Sequence, residues 1–442
     1  MKVFRPIILL VMMFLANPVL AAEQRHLLID KNQRWQGTVE LDRPVLVAVD
    51  ARLEIAPGAR INVTAKKVVL KVEGELEALG SVAQPIRFEA PHGWFGIELQ
   101  TTENSRFEHV QIEGAESGIA ASQSRFEVRN SLFSSCKTAI KLDRQSESEI
   151  AQNEFVDNQT GIDIGTRSQG VVKENLFKGN AVAVVASHNS TGIVRENRFI
   201  ANQQGVYVQH LFPGTMNENS FEQNKTAVIC DQTMASPLIT DNRFVGNEKG
   251  IVNLLASKPQ VRNNLFHDND IALVNNQLGS PVVEKNLFVG NRLAIKSERR
   301  SAPQIEYNRF LENDLALFCD YLSYPTVKQN NFITNNMAVK LGDHQSADME
   351  KQGAADKQTE KILAASGRQG KPAVFHPASG IVDVSLNWWE PDVEEEIEKF
   401  FFDRSQEKWV LDDATGKRYL RDEISFRPRL TKPVTDAGRK YQ

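Results

Sequence analysis

His188 and His210 each stand eleven residues after a phenylalanine, Phe177 and Phe199, in a chain where phenylalanine recurs about every 22 residues. If the repeats stack, residues at one offset lie above one another, so the two imidazoles become neighbours. Tyr207 and Asp163 fall close to them, and Lys141 lies one repeat further on. A histidine, tyrosine and lysine group of this kind could abstract a proton beside a sugar carboxylate, and two histidines could hold a metal. A third histidine at the same offset would strengthen the metal case, but that repeat carries Gln232. The plainer reading is a pair of exposed turn histidines, and it is the one adopted. Lys141, Asp163, His188, Tyr207 and His210 therefore stand as catalytic candidates only, with no metal ligand and no cofactor-binding residue assigned.

The repeat that positions them is regular. Phe133, Phe155, Phe177, Phe199, Phe221, Phe244, Phe266, Phe288, Phe310 and Phe332 are 22 residues apart except for one step of 23. Asparagine precedes nine of them by two residues: Asn153, Asn175, Asn197, Asn219, Asn242, Asn264, Asn286, Asn308 and Asn330. A second asparagine follows nine by three residues, from Asn158 to Asn335. An aliphatic residue lies five before each ring (Met216 once) and another seven after, the latter preceded always by Gly or Ala. Three short β-branched or aromatic segments per repeat, separated by Asn and Gly, predict three strands and three turns. No repeat carries the 3.6-residue stripe of a helix. The predicted fold is all-β: a single-stranded right-handed parallel β-helix with coils of about 22 residues, each rising one strand spacing of about 4.8 Å. The phenylalanines form its internal stack and the asparagines its structural ladders.

The rhythm defines the boundaries. Residues 107–342 are the regular coils, and 23–106 an N-terminal cap with short first coils. A polar insertion occupies 343–380, and 381–442 supply a last coil and C-terminal cap. In that last part Trp389 takes the Phe position, and a short helix is expected over Val393 to Phe402, with Ile397, Phe400 and Phe401 inward. Cys230 and Cys319 share an inward offset four coils apart, roughly 19 Å, too far for a disulfide. Cys136 replaces a ladder asparagine, so all three cysteines read as buried and free.

Lys2 and Arg5 precede the apolar run Ile7 to Leu15, and small residues follow to Ala22, which predicts a signal peptide over 1–22. The mature chain is expected to be exported, periplasmic or extracellular, with no transmembrane segment after cleavage. Its 56 acidic and 52 basic residues give a net charge of -4, and loss of the leader, with two basic residues and no acid, leaves -6. That balance excludes nucleic acid as a partner bound through phosphate neutralisation.

The series Asn-x-Phe-x-x-Asn-x-x-Gly-Ile, as in Asn153 to Ile162, resembles the parallel β-helix repeat of the pectin-lyase-like superfamily. The resemblance covers residues 107–341, with similar features at Trp94-Phe95-Gly96-Ile97 and Asn387-Trp388-Trp389. It implies a fold shared by pectate lyases, polygalacturonases, alginate epimerases, metalloenzyme accessory proteins and adhesins, so it does not select an activity. In enzymes of this kind the site lies on the outer side of the strand that begins at the Gly-Ile step. Here that column reads Ala120, Lys141, Asp163, Val185, Tyr207, Ile229, Val252, Val274, Lys296, Phe318 and Lys340. One Asp stands where a lyase or hydrolase of the family would need clustered carboxylates, and the epimerases' Asp-Pro-His-Asp run is absent. An apolar stripe from Val185 to Val274 should not face water over that length, so the 343–380 insertion or the C-terminal segment is expected to cover it. The leading expectation is an exported, non-catalytic β-helix that binds polysaccharide, or a partner protein, along its outer strand face without a cofactor. A polysaccharide lyase or epimerase acting on uronate polymers is the alternative, and a periplasmic metalloenzyme-maturation accessory protein the second.

Overall fold

The computed structural model describes residues 26–210, 212–232, 236–344, 346, 380–403, 409–411 and 418–439. The leader expected over 1–22 lies outside these, as does the 343–380 insertion apart from residues 343, 344, 346 and 380. The chain winds into three parallel sheets that share one core. The first has sixteen strands, from Leu27–Ile29 to Phe401–Phe402; the second has fourteen, from Gln33–Trp35 to Thr326–Lys328; the third has fifteen, from Thr38–Leu41 to Trp388–Glu390. Consecutive strands of the chain enter consecutive sheets, which makes a right-handed parallel β-helix.

Like residues pair across coils: Phe155 opposes Phe177, and Phe244 opposes Phe266. Their rings lie 5.3 Å apart at Phe133–Phe155 and 4.6–4.9 Å apart from Phe155 to Phe332. Near-parallel rings at this distance follow from the backbone ladder, which fixes neighbours at one strand spacing. The small residue before each inward aliphatic makes room for the stack. A Cβ on Gly161 would lie 2.4 Å from the Ala183 carbonyl and 3.3 Å from the Phe177 ring.

The asparagines solve a backbone problem. A left-handed residue precedes the ladder at each turn between the second and third sheets, for example Gln152 at φ +58° and Glu174 at +56°. There the chain turns, and the next N–H points along the axis with no strand partner. Asn175 Oδ1 accepts from the Asn153 backbone N–H at 2.9 Å and from its Nδ2 at 3.1 Å. Asn175 Nδ2 in turn donates to the Ile150 carbonyl at 2.9 Å. Each carboxamide thus satisfies buried donors and acceptors that would otherwise be orphaned, at about 1–3 kcal/mol per unmet group. A second ladder, three residues after each ring, works in the same way: Asn180 Oδ1 accepts from the Asn158 N–H at 3.0 Å, and at its start Cys136 takes the asparagine position, its N–H donating to Asn158 Oδ1 at 2.9 Å. All three cysteines are free and buried.

The ends differ from the sequence expectation in detail. Residues 27–106 already wind as full three-sheet coils, but they advance 18, 25 and 27 residues (Leu27 to Val45, Val45 to Leu70, Val69 to Gly96) and are not uniformly short. The longest carries a loop over residues 80–85. At the other end Trp389 pairs with Phe332 and its ring stacks on it at 4.3 Å, while Asn387 continues the ladder to Asn330. The expected helix over Val393 to Phe402 is shorter: one α-turn at Glu394–Ile397 and a 3-10 turn at Glu398–Phe400. Phe401 and Phe402 leave it to pair with Val339 and Lys340, because the last strand of the first sheet offers an open edge. Ile397 is buried, and Phe400 and Phe401 pack against the core.

Candidate functional site

Alternation along each first-sheet strand sends one residue per coil outward at the same height. Lys141 opposes Asp163, Asp163 opposes Val185, Val185 opposes Tyr207, and Tyr207 opposes Ile229. Lys141 is exposed, whereas Asp163 and Tyr207 are half-buried. Burial holds the Asp163 carboxyl above its ordinary 3.8; the Lys141 ammonium opposes this, Asp143 adds to it, and His188 opposes it. The Tyr207 hydroxyl donates to Asp231 Oδ2 at 3.0 Å. Burial first, and that bond second, push the phenol up to about 12, so it stays protonated through neutral pH.

His188 and His210 sit in the turn after this strand with φ of +56° and +59°. Both are exposed, and their rings stack at 5.2 Å and 24°. Ser187 Oγ lies 2.6 Å from His188 Nδ1. The five candidates therefore form two couples and a tyrosine: Lys141 with Asp163, His188 with His210, and Tyr207 held by Asp231. The apolar Val185 separates Asp163 from Tyr207, which puts their backbones two strand spacings, about 10 Å, apart. Groups that serve one proton must reach it within about 3 Å, and this column does not bring all five to one atom. Among the described residues no group of three His, Cys, Asp or Glu side chains converges as a metal set.

Two residues of this face were missed by sequence reasoning. Asp231 lies two positions beyond the outward Ile229, the place that Asp143 and Asp320 take in their own coils, and reading that second outward column would have found it. Phe402 was assigned to a helix, but its pairing with Lys340 extends the outward column by one coil.

The apolar stripe is partly sheltered. Val252 and Val274 are only 9% and 8% exposed although they point outward, and both lie outside the central core cluster. The hydrogen bonds of the C-terminal tail lie on another face. The tail runs over the third sheet, where the Val434 N–H donates to Asn331 Oδ1 and Asn331 Nδ2 to the Val434 carbonyl, each at 2.9 Å. Further along it, the Gly438 N–H donates to the Tyr307 carbonyl at 2.8 Å.

A family model described as a right handed beta helix region matches residues 88–244 and 212–352, more than half of the chain, and the chain belongs to that family. No curated protein matches it. Among solved structures, the alginate lyase from Paenibacillus sp. str. FPU-7 is similar at 10% identity; the match covers 70% of this chain and 97% of that one, with a TM-score of 0.26. No helix among the described residues is long and apolar enough to cross a membrane.

Proposed function

We propose that this is an exported, non-catalytic β-helix that binds surface or extracellular polysaccharide along the outer face of its first sheet. The observation that carries the reading is a column of alternating cations and rings: Lys296, Phe318, Lys340 and Phe402 pair in register on successive coils. Lys296 Nζ lies 5.9 Å from the Phe318 ring centre, and Lys340 Nζ 5.4 Å from that of Phe402. Rings offer flat apolar surface to a pyranose, and ammonium groups between them attract its acidic substituents. The spacing repeats with the coil, which suits a polymer more than a single small molecule. Export rests on the leader at 1–22.

Affinity electrophoresis of the mature chain in gels containing polygalacturonate or alginate tests this, with ultraviolet absorbance as a check for unsaturated product. Retarded migration without product is expected, and a Phe318→Ala, Lys340→Ala double variant should bind about tenfold more weakly, or about 1.4 kcal/mol. Unretarded migration in both gels removes the proposal.

A polysaccharide lyase or epimerase remains the second reading, supported by one observation: Tyr207, a potential proton donor, is oriented by Asp231 on the same face as the histidines. Product that accumulates with the native chain and vanishes with Tyr207→Phe, or with His188→Ala and His210→Ala together, would put this reading first. No cluster among the described residues favours a metalloenzyme accessory role.

A further inference from the structure

The loop at residues 80–85 lengthens its coil without adding to the core: Val82, Ala83 and Gln84 are exposed, Val82 at 86%. It is nevertheless held firmly. Ser81 and Gln84 exchange backbone hydrogen bonds of 3.1 Å in both directions, and the Gln84 N–H also lies 3.1 Å from Ser81 Oγ. The Gly80 N–H donates to the Glu108 carbonyl at 2.8 Å, and the Gln84 carbonyl accepts from Gly58 at 2.9 Å. The loop stands as the end wall of a trough of about 390 Å³. Two residue columns build the rest. One is His109, Asn130 and Gln152, successive left-handed turn residues at φ +48°, +51° and +58°. The other is Gln111, Leu132 and Glu154, paired in register on the outer side of the third sheet.

The polar groups of this lining are oriented. Arg87 Nε donates to Gln111 Oε1 at 3.0 Å, which leaves the amide NH2 of Gln111 as a donor. Asn130 Nδ2 donates to Glu108 Oε1 at 3.4 Å and Gln152 Nε2 to Glu174 Oε2 at 2.8 Å, which leaves both carboxamide oxygens as acceptors. Leu132, Pro85 and Val82 supply an apolar surface between them. A donor and acceptors around a small apolar floor match the vicinal hydroxyls and C–H face of a sugar ring. Glu154 adds a carboxylate acceptor to the lining, and with Glu108 and Glu174 behind it the carboxylates outnumber the neighbouring Arg87 guanidinium and disfavour an acidic sugar.

We propose that this trough is a binding site for a neutral pyranose, separate from the first-sheet face and independent of the function proposed for it. The firm loop means the site is formed before ligand arrives, which lowers the ordering cost of binding. Calorimetric titration of the mature chain with cellotriose, maltotriose and mannotriose, each to about 10 mM, tests it, with trigalacturonate as the contrast. At least one neutral trisaccharide should bind, and Gln111→Ala with Glu154→Ala should weaken it about tenfold or more at an unchanged melting midpoint. Phe318→Ala should leave that binding intact, which separates this site from the first-sheet column. The proposal is overturned if no neutral trisaccharide gives heat, if the double variant binds as the native chain does, if trigalacturonate binds as well as the best neutral sugar, or if Phe318→Ala abolishes the signal.

Discussion

Asp163 shows how one outward position can carry an electrostatic cost. Its carboxyl is held above 3.8 chiefly by burial, so the folded chain retains a proton there that the unfolded chain has released. Stability from this group is therefore lost as pH rises from the unfolded value through the raised folded one, and is undiminished below both. Asp163→Asn removes the charge and keeps the shape. It should raise the melting midpoint at neutral pH relative to the native chain and leave it unchanged near pH 3, about one unit below the unfolded value. Melting curves at the two pH values check this. A variant less stable at neutral pH would show that the Lys141 attraction outweighs burial, reversing the assignment of causes.

Elements were legible in the sequence where like lies over like. The 22-residue step alone places Phe133 to Phe332 and the asparagines, because a stacked coil forces equivalent residues into one environment. The first coils were blurred because their steps of 18, 25 and 27 residues break that equivalence, with the loop at 80–85 absorbing extra length. Phe401 and Phe402 read as helix because an apolar pair beside Ile397 satisfies a helical face as well as a strand. Of the candidate site, the sequence placed Lys141 beside Asp163 and His188 beside His210. It could not reveal the hydrogen bond of Tyr207 to Asp231, which depends on side-chain direction. The docking of the tail on the third sheet was also invisible, since Val434 and Asn331 are 103 residues apart and share no repeat position. That contact gives a prediction for the element. Asn331→Ala removes both hydrogen bonds to Val434 while sparing the core, and should free the tail at a cost of about 1–3 kcal/mol. Faster amide exchange at Val434 and Gly438, with Phe310 and Phe332 still protected, is the expected pattern. Unchanged exchange at Val434 would mean that other contacts hold the tail.

At the scale of the molecule, sixteen strands in the first sheet make a rod about 70 Å long in which each coil touches chiefly its neighbours. Stability in such an array is a sum of coil and interface terms, so damage in the middle need not spread to the ends. Phe244 tests this because its ring lies 4.9 Å from Phe221 and 4.7 Å from Phe266, and it is fully buried. Phe244→Ala leaves a cavity on the axis and removes both ring contacts, a loss of about 3–5 kcal/mol. In a solenoid that loss falls on the coils around it. Hydrogen exchange in moderate denaturant should show the coils from Phe221 to Phe266 losing protection first, while those near Leu53 and Phe332 keep theirs. Equilibrium unfolding of the variant should then split into more than one transition. If all coils lost protection together, the rod would behave as one cooperative body. The Asn ladder between the second and third sheets would then be the coupling element, since its side chains run through every coil from Asn153 to Asn387 without a break.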